Sequence, residues 1–397
     1  MAQYTYKVEL ETNTGFILDT DVLDTGVLGY LLQDVTQYVR SVRTQKGKST
    51  LQGKFTPGQM TVVFDNRSRA FDPKYISSPY YGSIVPRRRI IFSMADSAVT
   101  YGYVAQFTGW IDDWNFSYDV SGDSTSTAQC SDAFTILANQ NVTLTAPTAE
   151  LSGDRIRRVL NSSSVAWPTE LTGIYPGNFT MGTASYSGNA LDYLQSVSDS
   201  EAGTFYVDND GNVVFLDWNT TTDFATRQYL KFSSSPGTAY MPIQELEVEY
   251  GTEELVNNVI VTSAAGTVTV QDTRSQQTYR IASESYPVLT SNLTQMTTLA
   301  NFYITNYANP RYRVSKLKVS LDDPRLLNYV SPLTGSGWLV LLGGFNIGYG
   351  CLVNWIPNNI GTAITQQAAV IGFEIDATPE SCMFTYSIAG EDTRSYV

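Results

Sequence analysis

The chain has 397 residues, with 38 acidic against 25 basic side chains for a formal net charge of -13, and charged residues make up only 16% of it. That length exceeds one ordinary core and points to about two to four domains. The acidic balance argues against a nucleic-acid-binding enzyme, because DNA binding begins with cationic neutralisation of phosphates.

Histidine is absent from the sequence, which removes Ser-His-Asp and Cys-His nucleophile systems, HExxH zinc sites and imidazole switches. The opening MAQYTYKVELETNTG lacks the charged segment and apolar run of a signal peptide, and no apolar stretch reaches the roughly eighteen residues of a membrane helix. The expectation is therefore no membrane anchor. Cys130, Cys351 and Cys382 match no metal spacing and read as buried reduced thiols. Neither a metal nor a cofactor is expected. Aromatics at 12%, with abundant Tyr, Thr, Ser and Asn, give a β-rich profile.

In chain order, Tyr4 to Leu10 and Gly58 to Phe64 alternate with period two, and further strands fit Arg89 to Ser93, Tyr101 to Asp112 and Thr125 to Cys130. Asp132 to Ala138 reads as a short helix or turn closing this unit, so residues 1–145 are expected to form an N-terminal β-barrel domain. Residues 146–240 read as an α/β insert. Its first helix carries Ile156, Val159 and Leu160, its second carries Leu191, Leu194 and Val197 with Gly203 as a stop, and a hairpin turns at Asp210-Gly211. Residues 241–397 return to alternating strands around one helix, in which Leu293, Met296, Ala300, Tyr303 and Tyr307 recur, Thr290 or Ser291 caps the start and Pro310 stops the end. The expected fold class is mainly β, with two β-barrel-like domains flanking a small α/β region.

Several of these segments resemble tail hub proteins of long-tailed bacteriophages. They are LQGKFTPGQMTVVFDNRSRAFDP, SSPYYGSIVPRRRIIF, AQFTGWIDDWNFSYD and TAQCSDAFTILA in the first unit, then GDRIRRVL and ALDYLQSVSDSEAGTFYVDNDGNVVF in the insert. The last unit adds NNVIVTSAAGTVTVQDTRSQQTYR and ANFYITNYANPRYRVSKLKV. The resemblance covers nearly the whole chain, in order. One departure is that the usual S-x-x-x-Y-G becomes Ser275 to Tyr279 followed by Arg280.

The resemblance implies a structural virion protein at the tail tip, assembled in the bacterial host cytoplasm. Such proteins are homotrimeric hubs that join distal tail or tube proteins to fibre, spike or tape-measure proteins. DNA passes through the ring without specific binding, and an acidic lumen would repel its phosphates. The loop after Phe64 is the candidate contact. It holds Pro73, Pro79 and Pro86, with Phe71, Tyr75, Tyr80 and Tyr81 to bury, and ends on Arg87, Arg88 and Arg89. Tyr and Arg are enriched in interface hot spots, and rigid loops lose less entropy on docking. The plainer alternative is a loop packed on its own barrel with three solvated arginines. On the interface reading, a chain without residues 71–89 would fold and fail to assemble.

Other motifs point away from catalysis. DNDGN at 208–212 has some calcium-loop carboxylates, yet Val213 and Asn219 stand where the Gly and bidentate Glu belong, so it reads as a hairpin turn. Asp112-Asp113, Glu253-Glu254 and Asp322-Asp323 are adjacent on strands and face opposite ways, which makes poor acid/base partners. Trp110, Trp114 and Trp167 could stack on sugars, though packing is the commoner fate of Trp. Gly335, Gly337, Gly343 and Gly344 lie among strand-like residues, with no helix to make a phosphate loop. No catalytic residue is assigned. The readings left open are a trimeric hub, a hexameric distal tail adaptor, and a glycan-binding or glycan-cleaving tail protein.

Overall fold

The computed structural model describes residues 4–12, 31–48, 53–96, 102–222, 228–237, 240–328 and 347–390. The Gly335 to Gly344 stretch lies outside them. The first third forms β1 (Tyr4–Glu11), β2 (Leu32–Asp34), β3 (Val39–Gly47), β4 (Thr56–Asp65), β5 (Arg89–Asp96), β6 (Val104–Ser117) and β7 (Thr125–Ser131), then α1 (Ala133–Ala138). The middle holds β8 (Asn141–Leu144), β9 (Glu150–Leu151), α2 (Ser152–Leu160), β10 (Thr172–Ile174), β11 (Thr180–Met181) and β12 (Tyr186–Asn189). It continues through α3 (Ala190–Asp199), β13 (Thr204–Val207), β14 (Val213–Leu216) and α4 (Trp218–Thr222). The rest comprises β15 (Gln228–Ser233), β16 (Met241–Pro242), β17 (Glu245–Glu249), β18 (Asn258–Ser263), β19 (Gly266–Gln271), α5 (Thr273–Tyr279) and β20 (Ser283–Pro287). It ends with α6 (Leu293–Tyr307), β21 (Arg313–Ser320), β22 (Gly350–Trp355), β23 (Ile364–Ala377) and β24 (Cys382–Gly390).

The chain is mainly β, as the alternation of β-branched and aromatic residues requires. Strands from both ends of the sequence share one sheet of 14 strands, running β16-β15-β22-β23-β3-β4-β7-β6-β5-β1-β2, with β24, β21 and β17 branching from β23. The seam between the two sets is the antiparallel pair β3 and β23, with Val42 opposite Ala377 and Gly47 opposite Gly372. Two glycines meet there because the backbones touch: a Cβ on Gly47 would lie 2.4 Å from the Gly372 Cα. One hydrophobic cluster fills the inner face of both strand sets, including Val8, Phe64, Phe92 and Phe107 from the first and Phe232, Val319, Phe373 and Tyr386 from the second.

A second cluster unites α1, α2, α3, the β13–β14 hairpin, β18 and α6. The helix over 293–307 therefore packs with the middle segment's helices, through Met296, Leu299, Ala300 and Tyr307. Its details differ from the sequence reading in two ways. Asn292 is the cap, its side chain accepting from the Thr294 and Gln295 backbones. Thr290 is instead fully buried and donates to Gln295 Oε1 at 2.8 Å. Leu293 is exposed, its place in the core taken by Leu299.

Strand β6 continues to Ser117, five residues beyond the Asp112 expected to end it. A bulge between Ile111 and Asp113 absorbs the acidic pair without breaking the ladder to β7. Trp114 and Phe116 then resume the alternation.

Candidate assembly surface

The loop between β4 and β5 is built by local hydrogen bonding. Asn66, fully buried, accepts from the Phe71 backbone at 3.0 Å while its own N–H reaches the Ser124 carbonyl at 2.9 Å. Successive turns follow, with Arg69 donating to Asn66, Asp72 to Arg69, Tyr75 to Asp72, Ser78 to Tyr75 and Tyr81 to Ser78. Turns at this spacing let a long prolyl segment satisfy its own backbone at the surface. Arg69 also grips Asp72 through Nε at 2.9 Å and Nη2 at 2.7 Å and covers the Tyr75 ring at 4.6 Å. That guanidinium holds the Asp72 carboxyl below the usual carboxylate range.

The seven expected contact residues do not share one environment. Phe71 and Tyr80 belong to this chain's own core: Phe71 stacks between Phe64 at 4.4 Å and Tyr80 at 5.4 Å, with Tyr38 edge-on to both. Arg88 is turned inward, pairing with Glu11 at 3.4 Å, and half-buried Arg89 donates through its backbone to Glu11 Oε2 at 3.2 Å. Tyr75 is half-buried under Arg69, whereas Tyr81 and Arg87 are exposed, Arg87 pairing with Asp112 at 3.2 Å. Deletion of residues 71–89 would therefore open the core, and the folded but unassembled chain expected from the sequence requires substitutions at the outward positions.

Residues the sequence did not single out complete the surface. Ile76, Val85, Tyr118 and Val120 are exposed apolar side chains. Burial and the adjacent Asp72 carboxylate push the Tyr118 hydroxyl up, tying the β6–β7 turn to the loop. Trp114 Nε1 donates to the Val85 carbonyl at 3.3 Å, so the loop runs beside the last residues of β6.

The other candidates resolve into structure. Asp208 Oδ1 accepts from the Asp210 and Asn212 backbones at 3.0 and 2.8 Å, and Gly211 takes φ 89, which makes 208–212 a hairpin turn. Its Asp208 carbonyl accepts from buried Lys46 at 2.6 Å, fastening the hairpin to β3. Burial lowers the Lys46 ammonium to about 8, and burial raises the Asp132 carboxyl nearby to about 6 although the Gly58 and Phe134 backbones donate to it. Glu254 pairs with Arg313, Asp323 with Arg325, and Asp322 accepts from the Cys382 backbone. Trp167 is buried, its Nε1 donating to the Leu171 carbonyl at 3.2 Å, and Trp110 packs against the second cluster. All three cysteines are buried and none forms a disulfide among the described residues. Among the described residues no group of three His, Cys, Asp or Glu could hold a metal ion, and no helix is long and apolar enough to cross a membrane.

No protein-family model matches the sequence, and no curated protein does. Solved structures share the fold. The 43 kDa tail protein of prophage MuSo2 from Shewanella oneidensis superposes with a TM-score of 0.54 at 11% identity, covering 98% of this chain and 100% of that one. The tail protein from Neisseria meningitidis MC58 gives 0.54 at 12% identity, covering 98% and 97%. A chain of the lidded Francisella PdpA-VgrG complex gives 0.50 at 10% identity, covering 99% of this chain and 54% of that one. At these identities the likeness is one of fold.

Proposed function

We propose that this chain is a structural protein of a phage-type tail tip, three copies of which form a ring-shaped hub. The ring joins the tail tube to tip, fibre or spike proteins and surrounds the channel through which DNA leaves. What carries this reading is likeness of fold over nearly the full length of both chains to two tail proteins. It is supported by an acidic chain that repels phosphate and by acidic pairs engaged in ion pairs and turns rather than facing each other across a cleft.

In this reading residues 1–145 and 241–397 supply two lobes of the ring and the loop after β4 lies at a subunit contact. Tyr81, Val85 and Arg87 are its contact residues, and Phe71 and Tyr80 stiffen it from below. The test is the copy number, by native mass measurement of the isolated protein and by symmetry analysis of tail tips. Three copies in a closed ring are expected. Six copies would replace the hub with a distal adaptor, and a monomer absent from virions would return the glycan-binding reading.

A further inference from the structure

The two halves of the large sheet repeat one strand order. Along the sheet, β1-β5-β6-β7-β4-β3 is matched by β15-β22-β23-β24-β21-β17, and β2 and β16 flank β1 and β15. The four pairings from β5 to β3 and from β22 to β17 are antiparallel in both. Only the first strand differs in direction, β1 being antiparallel to β5 and β15 parallel to β22.

The correspondence extends to single residues. Each long strand carries a bulge, between Ile111 and Asp113 in β6 and between Val370 and Gly372 in β23. Just before it, Ile111 exchanges backbone bonds with Arg87 and Arg88 as Val370 does with Gly348 and Tyr349. Counting on from the bulge, Trp114, Phe116 and Tyr118 correspond to Phe373, Ile375 and Ala377. The ladders carry the match to the outer strands: Asp113 faces Gln129, which faces Thr61, which faces Arg43, while Gly372 faces Ser387, which faces Lys316, which faces Glu247. Arg43 on β3 thus corresponds to Glu247 on β17, and Val42 to Leu246.

Within the chain, β3 of the first half adds to the far part of β23 in the second, at Gly372 to Ala377. The reciprocal junction is open at both ends. Among the described strands β17 pairs only with β21, and β6 beyond Trp110 pairs only with β7. Burial registers the difference. At the filled junction Val42, Phe373, Ile375 and Ala377 are 1%, 3%, 0% and 1% exposed. At the open one Leu246, Trp114 and Phe116 are half-buried and Tyr118 is 56% exposed.

We infer that copies of this chain join by strand addition, β17 of one copy lying antiparallel along residues 113–118, the end of β6 and the residue after it, in the next. The in-chain register transfers directly. Arg43 opposite Asp376 becomes Glu247 opposite Ser117, and Val42 opposite Ala377 becomes Leu246 opposite Tyr118. The side chains fit. Leu246 and Val248 lie opposite Tyr118 and Phe116, while the Asn115 amide and Ser117 hydroxyl offer donors to the Glu247 carboxylate, as Glu374 and Asp376 receive Arg43 in the chain at 3.6 and 3.4 Å. One donor edge and one acceptor edge per copy make a head-to-tail contact, which closes into a ring or runs on as a filament. Exposed backbone edges of this kind are liabilities unless covered. The loop residues Val85 and Arg87 flank this edge, so the inference deepens the hub reading and rests on it for the number of copies.

Paired cysteines test the register. Glu247→Cys with Ser117→Cys, and separately Glu249→Cys with Asn115→Cys, are all at exposed positions where facing residues of adjacent strands lie within disulfide reach. Oxidation with diamide is expected to give covalent species ending at three chains, absent when Glu247→Cys is combined with Thr267→Cys on β19. A three-copy ring seen by mass with neither register pair cross-linked would overturn the strand addition and leave the hub standing. Cross-links in a ladder ending at another number would keep the strand addition and remove the trimer. No cross-link and no assembly at any concentration would remove both.

Discussion

Arg280 shows how one residue departs from what its backbone prefers. The resemblance expected glycine after Tyr279, and Arg280 ends α5 with φ 72 and ψ 172, a region that is essentially glycine's own. Asn257 holds it there, donating from Nδ2 to the Arg280 carbonyl at 2.8 Å and accepting from the Ala282 backbone at 2.8 Å. Arg280→Gly is expected to stabilise the fold by about 1–3 kcal/mol, read as a raised urea midpoint with unchanged slope. Arg155 is a different case: 1% exposed, it donates to Glu150, Tyr193, the Thr148 carbonyl and the Gly182 carbonyl. Nothing in the helical spacing of Ile156, Val159 and Leu160 distinguished it from its surface neighbours Arg157 and Arg158. Arg155→Ala leaves buried acceptors unpaired and is expected to cost about 3–5 kcal/mol, measurable by equilibrium unfolding. Asp132 titrates with a fixed sign. Its carboxyl is raised from 3.8 to about 6 in the fold, so the native state holds its proton longer than the unfolded chain. Its contribution is present below about pH 4 and lost as pH rises to about 6, a change of about 3 kcal/mol. Asp132→Asn removes that titration, so the difference in stability between variant and parent should change over this interval.

At the scale of elements, alternation placed β1 and β4 to within a few residues because each buries mainly one face. It stopped β6 short, since two adjacent aspartates look like a turn unless a bulge carries the strand past them. The β3–β23 seam was not legible at all. Nothing local ties Gly47 to Gly372, and their close approach exists only once both strands are in place. Gly47 also takes φ 91. Gly47→Val is expected to force the seam apart and cost about 3 kcal/mol, with hydrogen exchange rising first in Arg43 to Lys48 and in Gly372 to Ala377.

For the whole molecule, the proposed contact predicts that stability and association can be separated within the loop. Phe71→Ala empties a place between two rings in the core and is expected to cost about 3–5 kcal/mol. Tyr81→Ala touches no such contact and should leave monomer stability within about 0.5 kcal/mol while weakening assembly. Under the proposed assembly only the folded chain associates, so the melting temperature of the parent should rise with protein concentration, and that dependence should weaken in Tyr81→Ala.

By itself the sequence determined the β-rich class, the two-residue and helical periodicities and the hairpin at 208–212, because these follow from which faces a segment can bury and which turns its residues allow. The mixture of buried and exposed roles in one loop, the joining of distant strands into a single sheet and the repeated strand order were decided by tertiary structure. Repeated positions such as Trp114 and Phe373, or Arg43 and Glu247, share a place in the ladder and not an identity. Backbone pairing is indifferent to side-chain type, so the duplication appears only when the strands are seen side by side.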